Sequence, residues 1–374
     1  MFNFCPALSL KEGGYLPILN SKDNKMTRNL LKKYLIPASI IGFTCFYQSS
    51  AYALCGLTEY EFTPTGTKSS KGYDYQENGA PSYESADSGS FDLLVYNIDG
   101  FPECIGGNSK SDLKELLKRL ESENYNLVLM QEMFSESKHD LVKDEDRLSQ
   151  QAYPYRSKHW RGGMTSYGDG LMRLSDFPFQ MNSRDNDDYS LTSNEFEEYS
   201  ACHGNLFDNS PDCWTEKGFS VAVHEITEDF SVHVYNTHMN AGRDEDDYNA
   251  RRKQFLQLAD FINSYSSNAT VIIGGDFNNK WSDYPHAVEQ QAVWEMFLAT
   301  TGMRLACQDF IEGTDDSIAN CAASSSESTD QVAYVNRASA PYQLVLEEYG
   351  ELDNFTELSD HEPIRAKFSW SKSQ

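Results

Sequence analysis

Polar residues suited to metal binding and proton transfer follow a series of short apolar runs in this chain. They occur at six places: Asn97, Glu132, Asn236-Thr237-His238, Asp276-Phe277-Asn278, Asp330 and Ser359-Asp360-His361. Mg²⁺ prefers oxygen ligands, and a histidine with a pKa near neutrality can accept a proton from water. If each run is a strand that ends at one rim of a sheet, these side chains meet there. The pattern therefore predicts a site that is rich in oxygen ligands and contains two histidines.

Each of these residues, taken singly, also has an ordinary structural explanation. Asp or Asn at a strand end is usually a turn former. A histidine within a strand is more often a packed core residue than a base, and Glu132 is a natural first residue of a loop. Only the six positions together indicate a site.

Alternating strand-like and helical segments separate these positions. Apolar runs predict strands at 91–99, 126–133, 170–174, 218–226, 230–239, 270–278, 330–338 and 364–370. Helical spacing of apolar residues predicts helices at 111–123, 246–264 and 287–301. The first two strands and the helix between them have the form of a βαβ unit, and residues 227–229 form a hairpin-length loop. Mixed strands with interspersed helices predict a layered domain of the α/β or α+β class, with sheets inside and helices outside.

The first 53 residues have the pattern of an export signal. From Met26, basic residues precede an apolar stretch at 34–46, and Ala51-Tyr52-Ala53 forms an A-x-A cleavage motif. We expect translation to start at Met26, residues 1–25 to be an upstream extension, and cleavage to follow Ala53. The expected location is secreted or periplasmic, and the alternatives are a membrane-anchoring or buried helix and a lipoprotein.

Composition places a linker after the signal and makes the mature chain strongly acidic. Residues 54–90 are rich in Gly, Ser, Thr, Pro, Tyr and acids with no clear period, which predicts a linker or loosely packed strap. The whole chain has a net charge of −26, and its first 53 residues hold six basic and two acidic residues, so the mature charge is −30. Such a charge repels polyanions and disfavours tight non-specific nucleic-acid binding, although a bound divalent cation reverses the sign locally.

Six cysteines remain after residues 1–53 are removed, and an even count in an exported chain favours disulfides. Six cysteines allow fifteen pairings. The pairs favoured by closeness in sequence are Cys202 with Cys213 and Cys307 with Cys321, which leaves Cys55 with Cys104. A zinc site is the alternative, but no Cys-x-x-Cys motif supports it.

Six segments together resemble the motifs of a known superfamily. They are VYNID, LMQEM, KGFSVAV, VYNTHMNAG, IIGGDFN and LSDHEPI. Their order and intervals are similar to those of the endonuclease/exonuclease/phosphatase superfamily, which includes deoxyribonuclease-I-like nucleases, neutral sphingomyelinases and inositol polyphosphate phosphatases. The resemblance covers about residues 91–370 and makes 91–374 the catalytic domain. It implies a metal-dependent phosphoesterase of the α+β class, built as a four-layer α/β/β/α sandwich of two mixed sheets flanked by helices.

The resemblance also implies a metal site. Glu132 would be the main carboxylate ligand of Mg²⁺, with Mn²⁺ or Ca²⁺ as the alternative ions. Asn97 would lie beside Glu132, and Asp360 would lie near the metal. Such a small set is sufficient because Mg²⁺ keeps several of its waters and takes the remaining ligands from the substrate.

The remaining polar positions receive catalytic roles from the same resemblance. His361 would be the general base that activates water, oriented by Asp330. His238 would hydrogen-bond a phosphoryl oxygen. Asp276 and Asn278 would orient the nucleophile and stabilise the developing charge.

Two segments depart from the family pattern. DQVAY, which begins at Asp330, differs from the usual Asp-hydrophobic-aromatic form. Arg173 and Asp176 occupy unexpected positions in GDGLMRLSDFPF. These departures leave the role of Asp330 and the function of the segment around Arg173 to be tested by structure.

The substrate class that the sequence favours is a phosphodiester in a phospholipid headgroup. The segment from Cys202 to Lys217-Gly218 is similar to the secreted bacterial branch near the neutral sphingomyelinases. A cationic choline is not repelled by an acidic surface, and aromatic side chains could contact it through cation-π attraction. The alternative is that these aromatics are ordinary core or rim residues. The aromatic candidates are Tyr155, Trp160, Tyr167 and Trp214. We expect a monomer that makes peripheral membrane contact.

Three alternative functions remain open. A secreted nuclease needs a groove of basic residues, and acidic residues interrupt the candidates. These are Arg156, Lys158, Arg161, Arg243, Arg251, Arg252 and Lys253. A phosphoinositide phosphatase would need a dense basic cluster that the sequence lacks. A catalytically inactive effector is disfavoured because all the motifs are present.

Overall fold

The computed structural model describes residues 86–373 except 104–105, 145, 150, 158–167, 181–195, 205–211, 282–285, 311–320 and 322–328. The expected export signal and nearly all of the linker lie outside the described residues. So do the pairing of Cys55 with Cys104 and the candidate substrate contacts Lys158, Trp160, Arg161 and Tyr167. Within the described ranges no helix is long and apolar enough to cross a bilayer.

Six strands in the described part of the chain form the first sheet. They are β1 (Ser88–Asn97), β2 (Leu127–Gln131), β3 (Tyr155–Arg156), β4 (Met172–Ser175), β12 (Tyr342–Glu351) and β13 (Ile364–Lys372). Their order across the sheet is β12-β13-β1-β2-β4-β3. β1 and β2 are parallel and are joined through α1 (Lys110–Glu123), which confirms the predicted βαβ unit. The other neighbouring pairs are antiparallel.

The second sheet contains the remaining described strands. They are β5 (Phe179–Gln180), β6 (Phe196–Glu198), β7 (Gly218–Thr227), β8 (Phe230–His238), β9 (Val271–Asp276), β10 (Arg304–Leu305) and β11 (Asp330–Val335). Their order is β10-β11-β9-β8-β7-β5, and β6 also pairs with β7. β7 and β8 form the predicted hairpin. β8 and β9 are parallel and are connected by α3 (Glu245–Tyr265).

Helices cover the outer face of each sheet. In α1 the buried residues Leu113, Leu116, Leu117 and Leu120 recur at helical spacing, and Ser109 caps its first turn. These leucines share one core cluster with residues of α2 (Glu136–Lys143) and of the first sheet. α3 and α4 (Ala287–Thr301) share another cluster with the second sheet.

A third apolar cluster lies between the two sheets. In β1, Leu93 and Val95 belong to this inner cluster, whereas Leu94 and Tyr96 belong to the cluster with α1, as the period of two in a strand requires. The second sheet contributes Ile272 among others. The layers are therefore helix, sheet, sheet and helix, which confirms the predicted sandwich.

Gly274 in β9 allows the two sheets to approach each other closely. A Cβ atom at this position would lie 2.5 Å from Val95 Cγ2 and 3.2 Å from Leu129 Cδ1. Any side chain here would push β9 away from β1 and β2. The close approach brings the ends of these strands together.

Several short or edge elements were not predicted. They are α2, β3, β5, β6, β10 and β12. β12 carries a recognisable signal, because Tyr342, Leu344 and Leu346 alternate with less buried residues. β13 does not lie at an edge, since it pairs with β12 on one side and β1 on the other.

Two of the three expected disulfides lie among the described residues, and both are formed. Cys202 is bonded to Cys213, and Cys307 is bonded to Cys321. The first joins two loops beside β7, and the second lies in the core under α4. These pairings are confirmed.

Candidate active site

The candidate site lies where two parallel strand pairs, one from each sheet, end. Asn97 pairs with Gln131 at the end of β1 and β2, and His238 pairs with Asp276 at the end of β8 and β9. A buried amide contact connects the pairs, because Gln131 Nε2 donates to Asn236 Oδ1 at 2.7 Å across the sheets. The strand ends thus bring polar residues from both sheets to one rim.

Glu132, His238 and Asp276 form the centre of this rim. Each offers a ligand atom, and these atoms all lie within 4.8 Å of one another. His238 Nε2 is 3.7 Å from Glu132 Oε1 and 3.5 Å from Asp276 Oδ2. The imidazole is 1% exposed, and neither ring nitrogen has a hydrogen-bond partner among the described residues.

Burial controls the protonation of this centre. It holds the pKa of His238 well below its usual value, so the imidazole is neutral at pH 7. Burial also raises the pKa of Glu132 to about 7, against the lowering effect of Lys217 and Asn97. For Asp276, burial acts to raise the pKa, but the positive charges of His361 and nearby groups bring it below its usual range.

Asn97 links the carboxylates to the second histidine. Its Nδ2 donates to Glu132 Oε1 at 3.1 Å and to Asp276 Oδ2 at 3.0 Å, and it lies 3.4 Å from His361 Nε2. Its Oδ1 accepts from the backbone N–H of Asp99 at 3.2 Å. Asn97 therefore lies at the middle of the site, beside Glu132 as expected.

His361 lies on the opposite side of Asn97 and is held by Asp330. His361 Nδ1 lies 2.5 Å from Asp330 Oδ2, and its Nε2 is 3.9 Å from Asp276 Oδ2. Ser359 fixes the loop, since its hydroxyl donates to the carbonyl of Asn97 at 2.7 Å and accepts from the N–H of His361. Asp330 thus takes the expected position although the segment that it begins departs from the family pattern.

The carboxylates around His361 determine its charge. Burial acts to lower its pKa, but Asp330, Asp276 and Asp360 outweigh that effect and raise the pKa to about 11. Neutralising part of this negative charge would bring the pKa back toward neutrality. Burial raises the pKa of Asp330 to about 6.

Asn278 and Asp276 form a compact pair at the end of β9. The Asn278 N–H donates to Asp276 Oδ1 at 2.8 Å, and its Nδ2 donates to Asp276 Oδ2 at 3.2 Å and to the carbonyl of Met239 at 3.0 Å. Asn278 has a φ of 48° and Glu132 a φ of 62°. A left-handed backbone is strained at residues other than glycine, and such strain clusters at functional sites.

Asp360 lies at the edge of the site rather than in its centre. Its side chain is exposed, and its Oδ1 is 3.5 Å from the Ser359 hydroxyl. Its charge still reaches the site, because it adds to the effect of burial that raises the pKa of Asp99 to about 6. Asp360 is outside the Glu132, His238 and Asp276 group.

A buried ion pair beside the site was not predicted from the sequence. Lys217 Nζ is 2.5 Å from Asp212 Oδ1, and the two side chains are 7% and 4% exposed. Lys217 also donates to the carbonyl of Met239 at 3.2 Å. Lys217 and Gly218 belong to a segment that resembles the family, but nothing local in the sequence identifies Asp212 as the partner of Lys217.

Two basic residues considered for a nucleic-acid groove are buried instead. Arg156 donates to the carbonyls of Tyr153 and Leu148, and Arg251 donates to those of Asn240 and Gly242. Their guanidinium groups satisfy turns inside the fold. They are therefore structural residues, and the structure gives them no contact with a groove.

Arg173 and Asp176 also have structural roles. Arg173 is 1% exposed and bridges the sheets, donating to the carbonyl of Val234 at 3.0 Å and the hydroxyl of Ser220 at 2.9 Å. Asp176 accepts from Asn126 Nδ2 at 2.9 Å. These contacts account for the two residues that depart from the family pattern.

The residues at the centre fit a divalent cation. Two carboxylates supply hard oxygen atoms, and the buried His238 needs a partner that the described residues do not provide. A positive ion here would also offset the cost of burying Glu132 and Asp276 together. Glu132 and Asp276 are the residues that would hold it, whereas Asn97 donates its Nδ2 to both carboxylates and turns its oxygen toward Asp99.

A family comparison agrees with this geometry. The sequence model of the Endonuclease/Exonuclease/phosphatase family matches residues 94–361. The chain belongs to this family. The matched span includes every candidate residue of the site from Asn97 to His361.

Individual relatives of this family member carry the name sphingomyelinase. Such proteins from Mycobacterium bovis and Mycobacterium tuberculosis are 29% identical over 208 residues, which is 55% of this chain and 37% of theirs. The aligned part thus spans little more than a third of those relatives. The solved structure of sphingomyelinase C from Streptomyces griseocarneus is 18% identical, covering 75% of this chain and 99% of that one with a TM-score of 0.49.

Proposed function

We propose that this family member is a Mg²⁺-dependent phosphodiesterase that cleaves phospholipid headgroups in the manner of a sphingomyelinase. The observation that carries the proposal is the pairing of the Glu132, His238 and Asp276 group with the His361–Asp330 pair across Asn97. One side supplies ligands for a cation and the other supplies a base. Hydrolysis of a phosphoester needs both.

The proton route runs through His361. Its Nδ1 faces Asp330, so Nε2 is the atom that can accept a proton from the attacking water. Loss of that proton allows the water oxygen to form a bond to phosphorus while the bond to the leaving alkoxide breaks. Mg²⁺, when bound, neutralises carboxylate charge and polarises the phosphoryl group. A positive charge here would also lower the pKa of His361 and so favour the neutral form that a base requires.

The other site residues position the reactants. Asp276 is ionised and held by hydrogen bonds from Asn278, so it presents a fixed acceptor to the nucleophile. His238 is neutral and has no competing hydrogen bond among the described residues, which leaves it available to a phosphoryl oxygen. Preorganised groups of this kind stabilise charge that develops in the transition state.

Two observations support a lipid substrate over nucleic acid. The curated relatives are named sphingomyelinases. The buried Arg156 and Arg251 remove two candidate phosphate contacts, and a net charge of −26 opposes long-range attraction of a polyanion.

We also propose export from the cytoplasm. The signal pattern that begins at Met26 and the two disulfides support it. N-terminal sequencing of the protein recovered outside the cytoplasm should find Leu54 as the first residue. Recovery of an uncleaved protein inside the cell would contradict export.

Parallel hydrolysis assays test the proposed activity. The chain from Leu54 is incubated with Mg²⁺ and vesicles of sphingomyelin, phosphatidylcholine or phosphoinositides, or with supercoiled plasmid. We expect phosphocholine release that EDTA and His361→Ala abolish. His233→Gln is the matched control, because His233 lies at the other end of β8 and contacts Ser266.

The substrates separate the alternatives. Nicking of the plasmid alone would replace the lipid proposal with a nuclease. Phosphate release from phosphoinositides alone would indicate a phosphatase. Absence of hydrolysis on every substrate, or full activity of His361→Ala, would overturn the proposed mechanism.

A further inference from the structure

The segment that leads to His361 is held by side chains from β1, α1 and the loop between them. This segment is a short 3₁₀ helix, Asp353–Leu358, and the site residues 359–361 follow it directly. The side chains that donate hydrogen bonds to its carbonyls are Arg119 to Asn354, Tyr96 to Phe355 and Asn108 to Leu358. Asn108 therefore holds the end of the helix that lies nearest to the candidate base.

Asn108 also binds the chain where it leaves β1. A side-chain amide has two hydrogens to donate. Asn108 Nδ2 donates to the carbonyl of Ile98 at 3.2 Å as well as to that of Leu358. One amide group thus joins the residue that follows Asn97 to a residue that lies three positions before His361.

A second contact lies beside this one and has a different donor. The hydroxyl of Ser359 donates to the carbonyl of Asn97 at 2.7 Å. Leu358 and Ser359 are therefore tied to Ile98 and Asn97, residue by residue. These two ties set the position of His361, whose Nε2 lies 3.4 Å from Asn97 Nδ2.

The backbone of Asn108 is itself fixed on both sides. Its N–H donates to the carbonyl of Asp99 at 2.9 Å. Its carbonyl accepts from Lys138 Nζ, which also donates to the carbonyl of Phe101 at 2.5 Å. Lys138 is 1% exposed, and a buried ammonium group that loses its acceptors is costly. The amide of Asn108 consequently projects from a rigid point of the loop.

We propose that Asn108 is a positioning residue for the hydrolytic reaction and that it acts on the base, not on the metal ligands. By holding Leu358 against Ile98 it fixes the direction from which His361 Nε2 meets the attacking water. The proposal rests on the proposed function, because it assigns a role within the same site. A displacement of about 1 Å in such a group can reduce the rate about 100-fold.

The variant Asn108→Leu tests this role, because leucine is similar in size and has no amide. The carbonyls of Ile98 and Leu358 then lose a shared donor. The matched control is Arg119→Met, which removes a donor to a carbonyl near the start of the same 3₁₀ helix. The Arg119 side chain is 30% exposed, so its replacement leaves no buried charge without a partner.

Kinetics and metal binding together distinguish positioning of the base from a general structural defect. For the phosphodiester that the wild type hydrolyses, Asn108→Leu should lose about 100-fold in kcat while KM changes less than about threefold. Its Kd for Mg²⁺, measured by calorimetry, should stay close to that of the wild type, and Arg119→Met should keep the wild-type kcat. Wild-type kcat in Asn108→Leu, or a loss of Mg²⁺ affinity as large as the loss of kcat, would overturn the proposal.

NMR in EDTA gives a test that depends on neither substrate nor metal. In protein labelled with ¹⁵N-histidine, the ring signals of His361 are those that disappear in His361→Ala. They should shift in Asn108→Leu and remain in place in Arg119→Met. Failure of the wild type to hydrolyse any phosphodiester would refute the proposed function, but unchanged His361 signals would refute the positioning role. If Asn108→Leu does not fold, Asn108→Ala removes the same amide and provides the same measurements.

Discussion

Glu132 should destabilise the metal-free protein at neutral and higher pH, because its carboxyl group is buried. Burial raises its pKa from the usual 4.5 to about 7, and its side chain is 18% exposed. Because the folded-state pKa lies above the unfolded one, the folded state holds the proton more tightly, and stability falls as the pH rises from 4.5 to 7. Each pKa unit is worth about 1.4 kcal/mol, so the loss reaches about 3 kcal/mol at pH 8.

The substitution Glu132→Gln should therefore stabilise the metal-free protein. Glutamine keeps an oxygen that accepts from Asn97 Nδ2 and removes the buried charge. In EDTA we expect the free energy of unfolding to rise by about 3 kcal/mol at pH 8 and by less than about 1 kcal/mol at pH 5. Urea unfolding followed by tryptophan fluorescence measures both values.

Mg²⁺ should nearly cancel this difference in stability. A ligand present at 100 times its Kd stabilises the wild type by about 2.7 kcal/mol, whereas Glu132→Gln has lost a ligand and should gain little. Glu351→Gln is the matched control, because burial and Glu362 raise the pKa of Glu351 to about 7 in another part of the fold. Glu351→Gln should also raise the free energy of unfolding more at pH 8 than at pH 5. Mg²⁺ should still stabilise this variant as it stabilises the wild type. Equal Mg²⁺ stabilisation of wild type and Glu132→Gln would refute the assignment of Glu132 as a ligand.

Two further predictions concern the base and the disulfide. Asp330→Asn should lower kcat by about 10² to 10⁴. It should also move the acid limb of the pH–rate profile to lower pH, because the Asp330 charge raises the pKa of His361; an unmoved acid limb would contradict the contact. Replacing Cys202 and Cys213 with serine should cost about 3 kcal/mol in urea unfolding and reduce kcat, since their separation of 11 residues encloses the Asp212 segment. Removing the Cys307–Cys321 disulfide should cost similar stability and leave kcat unchanged. Equal losses of kcat in the two variants would contradict a link between the Cys202–Cys213 disulfide and the site.

The local pattern of the sequence predicted the strands that carry the site and the residues at their ends. Strands such as β8 and β9 are apolar runs that stop at a polar residue, and that signal lies within about ten residues of chain. Asn97, Glu132, His238 and Asp276 were found in this way. Within each sheet they meet because parallel strands end at the same rim, and the close approach of the two sheets at Gly274 brings the two pairs together.

What the sequence did not predict depends on contacts between distant segments. The place of β13 between β12 and β1 pairs residues such as Phe91 and Phe368, and no local pattern specifies that register. Lysine at a strand start normally suggests an exposed charge, yet Lys217 is buried because Asp212 folds back against it. An arginine in a helix likewise suggests an exposed charge, yet the guanidinium group of Arg251 is buried and donates to the carbonyl of Asn240.

The central position of β13 also determines when the site can first exist. β1, which is made early in synthesis, has no neighbour on one side until Ile364–Lys372 is available to pair with it. His361 lies just before that strand, so the base reaches Asp330 only when the last strand is in place. A nascent chain that lacks β13 therefore carries most of the fold without a working centre, and its β1 edge stays unpaired until β13 is made. Activity should appear only after β13 has been made and has paired with β1.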